Sequence, residues 1–153
     1  MINAIGQINS HLGCDKLYLI HTRLIDSDLR LKGKFINTIS FKDTLEGTWT
    51  KEHKNALGAA IFWIDNDQIQ SDILVLRIDN VSELKFPISA VELYGAVLVH
   101  EIGHSLGLRH NEDDNDNLMY PYMYSYGSGF SLFPESVWAK FVSDLNNRGV
   151  VCE

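Results

Sequence analysis

A chain of 153 residues, 45% of them hydrophobic and 22% charged, has the make-up of one globular domain and is too short for two comfortable cores. Its formal net charge of -7 comes without any cluster of Lys and Arg, which excludes the basic face a nucleic-acid binder needs. No apolar run approaches the roughly 18 residues that cross a bilayer, and the first residues, MINAIGQINSHLG, have neither the basic start nor the apolar stretch of a secretory signal.

Ile2, Ile5 and Ile8 recur every three residues and Leu12 follows four further on, which predicts a helix beginning at once. So abrupt a start is what removal of an upstream signal or pro-segment would leave. KLYLIH (16–21) and KFINTISF (34–41) then read as strands, with a charged loop around Asp26 to Arg30 between them. GAAIFWID (58–65) and DILVLRID (72–79) are two more, linked by DNDQIQS. No linker, internal repeat or low-complexity tract interrupts this order.

Pro87 marks a turn, Ser89 can cap a helix, Glu92 can complete a capping box, and Ile88 with Leu93 fits a hydrophobic staple. From Ala90 to Leu106 the residues are apolar on most sides, as in a helix buried through the middle of a small domain. Gly107 is the expected stop, because glycine takes the left-handed conformation that ends helices. Residues 111–131 are rich in Asn, Asp, Tyr, Ser and Gly and read as irregular chain. A last helix starts near Pro134, with Val137, Phe141 and Leu145 facing the core. The fold class is therefore α+β, with a twisted sheet on one side.

Two cysteines, Cys14 and Cys152, stand near opposite ends. Paired, they would imply an oxidising compartment; unpaired thiols in a reduced protein fit the sequence equally well. The sequon Asn80, Val81, Ser82 points weakly toward the first alternative.

The chemistry concentrates in HEIGHSLGLRH (100–110). His100 and His104 are four apart on a helix, so both imidazoles lie on one face and can reach one ion. Gly107 lets the chain reverse, and His110 can return as a third neutral nitrogen ligand. Three histidines leave a tetrahedral zinc one open position for water, as a catalytic site requires. Glu101 stands too far round the helix to be a ligand beside them. It can instead take a proton from the metal-bound water and pass it to a leaving amine.

HEIGHSLGLRH followed by LMYP (118–121) resembles the zinc signature and methionine turn of the metzincin metalloproteases, and among them it is most similar to the matrixins. The resemblance implies one catalytic zinc on His100, His104 and His110, Glu101 as general base and acid, and Met119 beneath the metal. It implies a zincin fold: a mixed, twisted sheet with a central active-site helix in an upper subdomain (1–107), and a lower subdomain (108–153) closed by the C-terminal helix. By the same resemblance GAAIFWID takes the place of the edge strand that binds an extended peptide, which makes Gly58, Ala59 and Ala60 backbone contacts for substrate. Tyr120, Pro121, Tyr122 and Tyr124 would wall the pocket for the side chain after the cleaved bond.

The sequence departs from that pattern in places. Asn111 follows the third histidine where Ser is usual, and Glu135 and Ser136 stand where a pair of aspartates is expected. His11, His21 and His53 are scattered and do not reproduce the family's second zinc site, so no structural zinc is expected. NEDDNDN (111–117) lacks the glycine and distal glutamate of an EF-hand loop and reads as a solvated acidic loop, leaving calcium possible but not predicted. No cysteine-switch sequence is present.

The expected function is a single-domain, monomeric zinc endopeptidase, secreted or otherwise outside the cytoplasm, acting on peptides or proteins. Two alternatives differ in class. A zinc-containing module could bind peptides without cleaving them, and Glu101 argues against it. A three-histidine zinc endoribonuclease would lack Glu101 and Met119 and would need a basic surface.

Overall fold

The computed structural model describes residues 2–14, 38–42, 56–65, 68–76, 90–122 and 133–150. Their elements run α1 (Ile2–Leu12), β1 (Thr38–Lys42), β2 (Gly58–Asp65), β3 (Gln68–Leu76), α2 (Ala90–Ser105) and α3 (Glu135–Asn147). The three strands form a mixed sheet in the order β1-β3-β2. β3 is parallel to β1 (Thr38 opposite Asp72) and antiparallel to β2 (Gly58 opposite Val75). With three helices, this is the expected α+β, zincin-like arrangement.

Most predicted elements are found where the periodicity places them, and the differences have physical causes. The first helix and the strand at 58–65 match. The expected strand at 34–41 is observed from Thr38 to Lys42, while the one at 16–21 and the helix-capping residues 87–89 lie outside the described residues. The link expected at DNDQIQS is shorter than predicted. Gln68, Ile69, Gln70 and Ser71 are already strand, paired with Asp65, Ile64, Trp63 and Phe62. Pairing of backbone groups along β2 overrides the polar character of those side chains.

α2 is the centre of the packing. Leu93, Ala96, Val97, Leu98, Val99 and Ile102 are all buried, and the helix packs on β2, β3 and α1. Ile73 and Val75 meet it from the sheet, and Ala4 and Ile8 belong to the same core. Around the loop and α3 the core continues through Leu108, Leu118, Met119, Val137, Trp138, Phe141 and Leu145. Cys14, just past α1, is disulfide-bonded. The chain's other cysteine, Cys152, lies outside the described residues.

A histidine-lined candidate site

α2 ends in a turn that builds half of the site. Gly107 has φ +90°, a conformation that costs glycine little and other residues much. It lets the Gly107 N–H donate to the His104 carbonyl (2.9 Å) and the Leu108 N–H to the Gly103 carbonyl (3.0 Å), the paired bonds of a Schellman cap. The same reversal brings the Leu108 carbonyl over His104, whose Nδ1–H donates to it at 2.9 Å. His100, one turn earlier and buried, donates Nδ1–H to the Leu118 carbonyl at 2.8 Å.

Carbonyls only accept, so both imidazoles carry their proton on Nδ1 and present a lone pair at Nε2. Those lone pairs converge. His104 Nε2 lies 3.1 Å from His100 Nε2 and 3.1 Å from His110 Nε2. The Nε2 lone pairs of His100 and His104 cannot hydrogen-bond to each other; a cation would satisfy both. Nitrogens about 2.0–2.1 Å from one tetrahedral zinc stand about 3.3 Å apart, so the spacing fits such an ion. His100, His104 and His110 form the metal-capable cluster among the described residues.

Burial keeps His100 and His104 in their neutral, ligand form. Burial, then the neighbouring His104, pushes His100 from 6.5 down to about 3; His110 adds to this and the Leu118 carbonyl opposes it. Burial also lowers His104, with the Leu108 carbonyl opposing. Neutral imidazoles at physiological pH are what a metal requires.

Glu101 is buried beside this cluster, and its Oε2 has no hydrogen-bond partner among the described residues. Burial lifts its carboxyl from 4.5 to about 8. A buried carboxyl oxygen without a partner among the described residues is costly. The Glu101 carboxyl is suited to taking up and releasing a proton near neutral pH.

The loop half of the site is held by α3. Met119 is buried, and its Sδ lies 2.5 Å from where a β-carbon on Gly103 would stand, so the thioether fills the space that glycine leaves in α2. Phe141 of α3 supports the same spot at 3.0 Å. Asn117, which the motif did not single out, ties this loop down. Its Oδ1 accepts the Met119 N–H (2.8 Å) and its Nδ2 donates to Asp144 Oδ2 on α3 (3.0 Å). The only signal in the sequence was an Asn two residues before the methionine. Asp114, expected in a solvated acidic loop, pairs with Lys140 of α3 at 2.8 Å and caps the Asp116 N–H at 3.1 Å.

The remaining candidates are placed as follows. Gly58, Ala59 and Ala60 open β2, which is the end strand among the described residues. Tyr120 and Pro121 are half-buried after Met119, and the exposed Tyr122 ring stands 5.6 Å from that of Tyr120. Tyr124, His21 and His53 lie outside the described residues. His11 is apart from the metal-capable cluster, stacked on Trp138 at 4.3 Å. Glu135 and Ser136 occupy the exposed first turn of α3.

Residues 34–135, about two thirds of the chain, match the family model for the matrixins, peptidase family M10. Neither the curated proteins nor the solved structures provide a significant match.

Proposed function

This chain belongs to the matrixin family of metalloproteases, and from that premise we propose that it is a zinc-dependent endopeptidase in which His100, His104 and His110 hold one zinc and Glu101 moves the proton. The observation that carries the reading is the convergence of three imidazole Nε2 atoms next to the buried Glu101, whose Oε2 has no hydrogen-bond partner among the described residues. Zinc, when bound, supplies a Lewis acid that polarises the scissile carbonyl and acidifies water.

The chain's own residues do the rest. Leu118 and Leu108, through their carbonyls, hold two imidazoles in the ligating tautomer. Glu101 takes a proton from the attacking water and returns it to the departing amine, the paired tasks of a general base and acid. The edge of β2 that carries no strand among the described residues receives an extended peptide as an added strand through the backbone of Gly58, Ala59 and Ala60. Tyr120, Pro121, Tyr122 and Tyr124 wall the pocket beyond the cleaved bond. Met119 closes the floor.

The protein works as a monomer outside the cytoplasm, in keeping with the disulfide at Cys14. No described helix is long and apolar enough to cross a membrane. Membership of a peptidase family sets the ribonuclease alternative aside.

The test is incubation of the purified protein with a denatured, fluorescently labelled protein, with and without phenanthroline. Cleavage should stop with the chelator and return with zinc. Glu101→Ala should keep its zinc and lose cleavage; cleavage that survives the substitution sinks the mechanism. Zinc bound with no cleavage by the unaltered chain supports the peptide-binding module instead.

A further inference from the structure

Gly58 lies in extended strand and has no positive φ, so its backbone does not call for glycine. Its surroundings do. A β-carbon on residue 58 would stand 2.7 Å from Glu101 Oε1, 2.9 Å from Glu101 Cγ and 2.7 Å from Val97 Cγ1. Carbon atoms in contact normally keep about 3.5–4.0 Å. Val97 and Glu101 are four apart on α2, both buried, and together they form the ridge on which the start of β2 rests. Val97 is locked in the core. The Glu101 side chain, with one oxygen unpartnered, is the group free to yield.

We propose that Gly58 is a positioning residue for Glu101: the missing side chain leaves the slot that seats the carboxyl under the edge strand, in the place from which it serves the site. This rests on the protease reading above and adds to it. The strand proposed to hold the peptide backbone is then also the wall against which the proton-carrying group is set, so substrate and carboxyl are registered by one element. A side chain at 58 displaces the carboxyl at both Cγ and Oε1, which rotation about the last bond alone cannot relieve.

Two measurements on the zinc-loaded and zinc-free protein test this. With Gly58→Ala, kcat should fall about tenfold to a hundredfold, the cost expected of a displacement of about 1 Å, while KM stays within about threefold and zinc content is unchanged. The second measurement needs no activity: the melting temperature of the zinc-free protein with Gly58→Ala, in the native background and in Glu101→Ala. Removing Glu101 should lower the penalty of the added methyl without abolishing it, because the contacts with Oε1 and Cγ are gone while the one with Val97 Cγ1, also 2.7 Å, remains. Equal effects of Gly58→Ala in the two backgrounds, or an unchanged kcat in an active enzyme, overturn the positioning role. An unaltered protein that cleaves nothing sinks the protease reading itself, whereas the melting comparison still reports whether Gly58 and Glu101 are in contact.

Discussion

The two halves of the site share one core but are held in place differently. The α2 half, from His100 to His104, is embedded on a helix whose neighbours Val97, Leu98, Val99 and Ile102 are almost fully buried, so apolar packing holds its residues in place. The loop half, from Leu108 to Tyr122, has no regular structure beyond turns; it buries Leu108, Leu118 and Met119 in the same core and adds polar ties to α3, Asn117 to Asp144 and Asp114 to Lys140. The halves meet in the bond from His100 to the Leu118 carbonyl and in the Met119 thioether against Gly103. A helix can present ligands at fixed spacing by itself; a loop needs partners far away in the chain.

That contrast can be broken from either side. The largest effect is expected from Glu101→Gln, which should lower kcat by about a hundredfold to ten-thousandfold with zinc content unchanged, measured on a labelled protein substrate. Next is Phe141→Ala, which removes a fully buried ring under the junction and should cost about 3–5 kcal/mol of stability in urea unfolding. Asn117→Ala should cost about 1–3 kcal/mol by leaving the buried Met119 N–H without its acceptor. It should also weaken zinc retention, because the loop that carries the Leu118 carbonyl loosens.

The zinc-free protein should show the charge balance directly. Glu101 is lifted from 4.5 to about 8, so between those values the folded chain holds a proton that the unfolded chain has released. Stability falls as pH rises through that window, and Glu101→Gln should flatten the fall in melting temperature. His100, lowered from 6.5 to about 3 by burial first and His104 second, works in the opposite sense, and its contribution is lost as pH falls through that range. The smallest effect belongs to Lys140→Ala. Its partner Asp114 is solvent-screened, so melting temperature should barely move in moderate salt.

Legibility followed the same division. Ile2, Ile5, Ile8, Val137, Phe141 and Leu145 predicted two amphipathic helices because apolar spacing on a helix is a local property. Gly107 predicted the turn that returns His110. β3 began earlier than predicted, since Gln68, Gln70 and Ser71 look like a link until the ladder with β2 supplies their backbone partners. Trp138 is buried beside the stripe of Val137, Phe141 and Leu145, and Asn117, which reads as the end of a solvated acidic loop, is buried too, because its partner is 27 residues away.

By itself, then, the sequence determined the α+β class, the identity of the three histidines and the glutamate, and the helix that carries most of them. These depend on spacings of three and four residues along one chain, which helix geometry converts directly into position. Only the tertiary structure decided which nitrogen of His100 and of His104 is bound to a carbonyl, that Glu101 Oε2 is buried without a partner among the described residues, and that Gly58 lies against Glu101. Two of these contacts join groups far apart in sequence, His100 with Leu118, 18 residues on, and Gly58 with Glu101, 43 residues on. No local pattern encodes a contact that distant; it is set by how the core closes around α2.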